Sequence, residues 1–293
     1  MQLGAGSYAA WVSDVASSTA KGRFAGKVAL VTGGGWNIGR AVAERLAREG
    51  ARVVLAARRL ERLEAAAAAI RAAGGEALAV AADVTVADDL VRCVQRAEAA
   101  FGPIGVCAAI AGGSGAHQPI DQVDPGEWVR VVQNNLFGAF HTVRAVLPGM
   151  RRQGTGTLLL CCGGGSWFPM LGEPYTAYAS AKAAICRLTD QLAVELWDSG
   201  IRVNCLQPGM VWNQDVLAKV VVEEQRTGQV HPQRAQHRPP ELAAELAAFL
   251  LSADSAPLTG RIASVDETWW RDPAQVQAAA QSLHAYTLRR TGG

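Results

Sequence analysis

The sequence predicts a doubly wound α/β domain, one parallel sheet of about seven strands with helices on both faces. Three observations carry this. From Lys27 onward, short β-branched runs alternate with longer Ala-rich segments of helical period. The strand-type runs are apolar along their length, as expected of strands covered on both sides. The first of them, VALVT (28–32), leads directly into a glycine-rich turn and then a helix.

Taken in order, residues 1–23 read as an N-terminal extension. They lack the basic start and continuous apolar stretch of a signal peptide, so a cytoplasmic protein is expected. After VALVT, the strand candidates are RVVLA (52–56), ALAVA (77–81), VCAAI (106–110), TLLLCC (157–162), IRVNCL (201–206) and RIASV (261–265). Segments such as AVAERLARE and LERLEAAAAAIRAA between them have helix-forming composition. No linker, repeat or low-complexity tract interrupts 24–268, which is expected to be a single domain. Residues 213–238 are polar and carry His231, Arg234, His237 and Arg238. They read either as a mobile segment over a site or as a solvated surface loop. The C-terminal extension, 269–293, reads as one amphipathic helix after Pro273 running to Arg290, packed on the domain or on a neighbouring subunit.

Bulk properties narrow the partners. The 293-residue chain is 49% apolar with a net charge of +2, which gives no reason to expect nucleic acid or a membrane surface. No apolar run approaches the ~18 residues of a membrane span. Cys93, Cys107, Cys161, Cys162, Cys186 and Cys205 form no Cys-x-x-Cys or His-bearing ligand set. Buried reduced thiols are expected, and no metal.

The turn after the first strand reads Thr32-Gly-Gly-Gly-Trp-Asn-Ile-Gly-Arg40. Glycines there let backbone N–H groups approach a pyrophosphate at a helix N-terminus, whose dipole favours the negative charge. At these residues the chain resembles the short-chain dehydrogenase/reductase family, with its Rossmann-like fold and its Thr-Gly-x-x-x-Gly-x-Gly turn. Gly33 and Gly39 match, and Gly35 and Ile38 lie in the same turn. Asn37 stands at the middle glycine, a residue that tolerates left-handed backbone angles. Trp36 beside it is placed to shield the phosphates. At the end of the second strand, where an acid would accept from a ribose 2′-OH, the chain has Ala57, Arg58 and Arg59. Guanidinium groups pair with a 2′-phosphate, so NADP(H) is expected over NAD(H). The resemblance further implies Asp83 and Val84 at the adenine, and Ala111 and Gly112 where the family usually has Asn-Asn-Ala-Gly. It also implies Pro208, Gly209, Val211 and Asn213 beside the nicotinamide.

Tyr178 and Lys182, in YASAK, are spaced to share one face of a helix. A phenol titrating near 10 becomes a useful acid–base group when an ammonium steadies its phenolate. The resemblance casts Tyr178 as proton donor and acceptor. Lys182 is its partner and the holder of the nicotinamide ribose, and Asn135 retains a relay water. Its neighbour Asn134 reads as a helix-surface residue. The family's serine region breaks here: CCGGGS puts Cys162 and Gly163 at the two serine positions. Three readings stand open. Ser166 supplies the hydroxyl from a bent glycine loop, Cys162 substitutes weakly, or the position is vacant and Tyr178 works alone.

Trp167 and Trp212, with Phe168, Met170 and Leu171, are expected to border a cleft for a flat, sizeable ketone of aromatic or polyketide-like type. Trp128 and at least one of Trp269 and Trp270 read as packing residues, and Tyr175 as a pocket or structural residue. The leading expectation is an NADPH-dependent ketone reductase acting on a small molecule. Acid–base chemistry without net redox change, or a silent nucleotide-binding subunit, are the alternatives. Helices around 125–150 and 175–199 resemble those that build the family's dimers and tetramers, so a homo-oligomer is expected.

Overall fold

The structure is a computed structural model that describes residues 22–115, 117–170 and 174–288. The N-terminal extension up to residue 21, Leu171 and the tail from 289 lie outside the described residues. Seven parallel strands form one sheet in the order β3-β2-β1-β4-β5-β6-β7. They are β1 Val28–Thr32, β2 Arg52–Ala57, β3 Glu76–Ala81, β4 Ile104–Ala109, β5 Gly156–Cys161, β6 Ile201–Gln207 and β7 Ile262–Ser264. Each falls within two residues of its expected place. The helices are α1 Asn37–Arg48, α2 Leu60–Ala72, α3 Ala87–Phe101, α4 Pro125–Val132, α5 Gly138–Gln153, α6 Thr176–Glu195, α7 Gln214–Thr227, α8 Pro240–Leu251 and α9 Pro273–Gln281.

Successive strand residues point to opposite faces of the sheet, so each apolar strand feeds two cores. Ala29 and Val31 of β1 pack into one core with Val42 and Leu46 of α1, Leu63 of α2 and the apolar face of α8. Val28 and Leu30 enter the other core with Ala97 of α3, Val146 and Met150 of α5 and Ile185 of α6. Chain order reverses between β1 and β4, which both pair with neighbours in parallel register. Connections leave this point in opposite directions, so a crevice opens at the carboxyl ends of the strands.

The chain is tied in early: Phe24 is fully buried, and Arg23 holds the buried Glu49 at 2.6 Å. At the other end, the long C-terminal helix expected from sequence is not formed. Helix α9 stops at Gln281 because Ser282 is extended, and Arg261 donates to the carbonyls of Ala279, Ala280 and Ser282. The chain then turns through Tyr286, whose ring stacks on Trp269 at 4.2 Å and whose carbonyl accepts from Ile262 N at 2.7 Å. Trp269 and Trp270 are both buried in the first core. The polar segment 213–238 is also more ordered than a loop. It contains α7, capped by the Asn213 side chain accepting from Val216 N, and it ends where His237 bridges Met210.

Candidate active site

Helix α6 carries Tyr178 and Lys182 one turn apart, above the carboxyl end of β5. Lys182 is 4% exposed, donates from Nζ to the Cys161 carbonyl at 2.9 Å, and sits 5.6 Å from the Tyr178 ring centroid. Burial pulls the lysine toward neutrality, but Tyr178 and the sulfurs of Cys161, Cys162 and Cys205 more than offset it, and its pKa ends raised. It is an ammonium at neutral pH. Burial pushes the Tyr178 hydroxyl above its ordinary value, and Lys182 opposes this only in part. The lysine therefore acts in the expected direction without prevailing, and the phenol keeps its proton at neutral pH.

Asn135 lies at the centre of a π-helical turn, Gln133–Phe137, between α4 and α5. Such turns often mark functional sites because they rotate one side chain out of helical register. The Asn135 amide donates to the carbonyls of Gly113 (2.8 Å) and Val131 (2.9 Å), and its Oδ1 accepts from Gly113 N. A Cβ at Gly112 would stand 2.5 Å from Asn135 Oδ1 and 3.2 Å from Lys182 Nζ. Asn135 thus fixes the 112–113 backbone where it passes Lys182, and only glycine fits between them.

The serine question has a geometric answer. Ser166 is buried, but its hydroxyl donates to the Gly163 carbonyl at 2.5 Å and accepts from Gly163 N at 3.1 Å. Both bonds serve the loop, and no described side chain is hydrogen-bonded to the Tyr178 hydroxyl. In this arrangement Ser166 ties the glycine loop closed. The Cys162 thiol points into the core, toward the Leu206 carbonyl at 3.5 Å. At Gly163, a Cβ would lie 2.3 Å from the tyrosine oxygen. The slot that a serine side chain would fill is taken by the Tyr178 hydroxyl itself.

A cleft of about 430 Å³ runs from the glycine turn past β2 to the β4 and β6 ends. Gly33, Gly35, Asn37, Ile38, Gly39, Arg58, Arg59, Asp83, Val84, Ala111, Gly112, Val211 and Asn213 all line it. Asn37 has φ +47°, the left-handed angle expected of a residue replacing glycine, and a Cβ at Gly39 would strike the Gly33 carbonyl at 2.2 Å. Pro208 and Gly209 turn the chain away from β6 just beyond the lining, with Gly209 in the left-handed region at φ +71°.

Comparison with known proteins decides the family. The family model for short chain dehydrogenase matches residues 27–224. The chain belongs to that family. Levodione reductase of Leifsonia aquatica is 34% identical over 261 residues, covering 86% of this chain and 97% of the relative. Cyclohexanol dehydrogenase of an Acinetobacter strain is 31% identical over 245 residues, covering 83% and 95%. Among solved structures, NAD+-bound xylitol dehydrogenase superposes with a TM-score of 0.74 at 31% identity, over 82% of this chain and 98% of that one. Hydroxysteroid dehydrogenase of Escherichia coli does so with 0.71 at 28% identity, over 83% and 96%. This short-chain dehydrogenase is thus an oxidoreductase using a nicotinamide dinucleotide.

The residues present fit that cofactor: a backbone cradle that admits no Cβ at Gly39, and exposed cations at the cleft mouth. Sequence reasoning missed part of the lining. Arg62, one turn into α2, joins Arg58 and Arg59, and its guanidinium lies 4.1 Å over the Trp36 ring. Arg58 and Arg59 precede α2, so helical spacing does not link them to Arg62; the first turn of the helix brings it to the same cleft. Trp36 therefore braces an arginine as well as lining the cleft. Asn134, expected on the helix surface, lines the cleft instead, because the π turn swings it inward.

On the substrate side, Trp167 and Phe168 are exposed, with ring centroids 5.9 Å apart. Trp212 is half-buried and stacked flat on His237 at 5.0 Å, so its ring also anchors the end of the 213–238 segment. Tyr175 packs between His117 and Tyr178, at 4.0 and 6.1 Å. Trp128 donates from Nε1 to Thr176, joining α4 to the start of α6.

Among the described residues no helix is long and apolar enough to cross a membrane. All six cysteines are free and buried. The sequence offered no ligand spacing, yet the fold gathers Cys162, Cys186 and Cys205 so that their sulfurs lie within 4.8 Å of one another.

Proposed function

We propose that the protein reduces a cyclic ketone with NADPH, or runs the reverse oxidation of the alcohol, with Tyr178 exchanging the proton. One observation carries the reading: a protonated Tyr178 hydroxyl, backed by the Lys182 ammonium, stands beside a cleft lined by Arg58, Arg59 and Arg62, with Asp83 the one acid in its lining and none at the residues directly after β2. When bound, the dihydronicotinamide supplies the hydride. The chain's residues do the rest. Tyr178 hydrogen-bonds the carbonyl oxygen and gives it a proton as negative charge builds there. Lys182 stabilises the phenolate left behind, and its bond to the Cys161 carbonyl keeps the ammonium in place. Asn135 holds the 112–113 backbone against the same lysine. Arg58 and Arg59 pair with a 2′-phosphate, where a carboxylate would have repelled it.

Support for a cyclic substrate comes from relatives named for levodione and cyclohexanol, and from the exposed apolar rings of Trp167 and Phe168. The test is a panel of cyclohexanones, fused-ring ketones and aromatic ketones, with NADPH or NADH and loss of nicotinamide absorbance as readout. NADPH should be preferred, and Tyr178→Phe should lower kcat by about 10²–10⁴-fold. NADH working as well as NADPH would refute the cofactor assignment. An unimpaired Tyr178→Phe would refute the proton role.

A further inference from the structure

We propose that Cys162, Cys186 and Cys205 form a three-thiolate site for a soft monovalent or divalent cation of the copper(I) or cadmium type. The three residues come from different elements. Cys162 follows β5, Cys205 lies in the adjacent β6, and Cys186 is one helical turn beyond Lys182 on α6. All three are buried, at 1%, 0% and 0% exposure, and their sulfurs lie within 4.8 Å of one another.

The spacing suits three-coordinate geometry. With a metal–sulfur bond of about 2.3 Å, a trigonal arrangement needs sulfurs about 4.0 Å apart. The cluster reaches that by closing less than about 1 Å, which rotamer adjustment supplies. The donor set selects the ion. Thiolates with no imidazole or carboxylate among them favour soft cations, and a site with three protein ligands suits ions content with trigonal coordination. Structural zinc asks for a fourth donor. The polar neighbours here are the Leu206 carbonyl, 3.5 Å from the Cys162 sulfur, and the Ser166 hydroxyl beside Cys186, and neither is a charged ligand. Binding exchanges thiol protons for the metal: each coordinating thiol releases one proton to solvent, and no electron moves. The Lys182 ammonium, fixed to the Cys161 carbonyl, faces the excess negative charge of the filled site.

The site is coupled to catalysis by covalent continuity. Cys162 immediately precedes Gly163, whose backbone packs on the Tyr178 hydroxyl, and Cys186 shares α6 with Lys182. Drawing the sulfurs together shifts both ends of the Tyr–Lys pair, so an occupied site inhibits the enzyme.

The experiment titrates reduced protein with Cd²⁺ alone, without oxygen or added thiol, both in the native state and during refolding from denaturant. The expected result is one equivalent bound, with a thiolate-to-metal charge-transfer absorption and three sulfur neighbours in the cadmium X-ray absorption spectrum. Cys186→Ala and Cys205→Ala should each abolish stoichiometric binding, whereas Cys107→Ala, buried under α3 and α5, should leave it intact. Absence of the absorption in both native and refolded wild-type protein would overturn the proposal. So would a sulfur count other than three, which needs no variant to measure, or equal loss of binding in Cys107→Ala.

Discussion

Restoring the serine that most of the family carries should damage this enzyme. In Gly163→Ser the new Cβ would sit 2.3 Å from the Tyr178 oxygen, 3.2 Å from its Cζ and 3.6 Å from Lys182 Cγ. Ordinary contact begins at 3.4 Å, so the tyrosine must retreat by about 1 Å or the loop must lift. A misplacement of about 1 Å at a reacting group costs up to about 10²-fold in rate, or about 2.7 kcal/mol. A well-placed oxyanion donor contributes about 10²–10³-fold. That gain cannot be collected here, because the added oxygen hangs from the carbon that collides. Gly163 does not have a positive φ, so backbone strain does not confuse the outcome. The assay is kcat and KM on the best ketone of the panel, with NADPH affinity by fluorescence. Gly163→Ser and Gly163→Ala should lose about 10²-fold in kcat alike, with NADPH affinity unchanged. A serine variant faster than wild type, or a harmless alanine variant, would refute the reasoning.

Three further outcomes follow from the same geometry. Ser166→Ala removes two bonds to the Gly163 peptide, so the melting temperature should fall by the equivalent of about 1–3 kcal/mol while kcat falls by less than the ~10²-fold of a lost oxyanion donor. Arg58→Ala should raise KM for NADPH by about 10- to 100-fold and leave KM for NADH unchanged, since charge-assisted bonds are worth about 1.5–3 kcal/mol. In the oxidation direction Tyr178 must start deprotonated. Its raised pKa therefore places the rising limb of kcat/KM above the ordinary phenol value of about 10, and activity grows with pH. Lys182→Met should push that limb higher still, because the ammonium is the one contribution that lowers the tyrosine; a limb that stays put would exclude the coupling.

Much of this was legible in the sequence because it is local. Strand β1 matched residue for residue, since a four-residue apolar run and Thr32, bounded by Lys27 and a glycine turn, leave little freedom. The Tyr178–Lys182 pairing follows from helical spacing alone, and Asn37 adopted the left-handed angle its chemistry allows. The failures have physical causes of another kind. Ser166 was one of three open readings for the serine position, and its hydroxyl, three residues on, closes a turn onto the Gly163 backbone, which spacing alone does not reveal. Asn134 turned inward because one π turn shifts helical phase, and no composition signal announces that. The 269–290 helix was cut at Gln281 by Arg261, a residue far away in sequence that captures its last carbonyls. The thiol cluster joins residues from three elements, and only the completed sheet brings them together.

The turn at Tyr286 bears on how copies of this chain can meet. Strand β7 ends the sheet, and its outward N–H groups are those of Ile262 and Ser264. The first is taken by the Tyr286 carbonyl and the second by the Glu267 carboxylate. Strand β3, at the opposite end, is covered in part as well: its Ala77 carbonyl accepts from Arg71 at 3.0 Å. A margin closed as at β7 offers no free N–H to the strand of a second chain. Strand addition at β7 would need the tail to let go first, so truncation before Tyr286 should expose the Ile262 N–H to pairing by another strand.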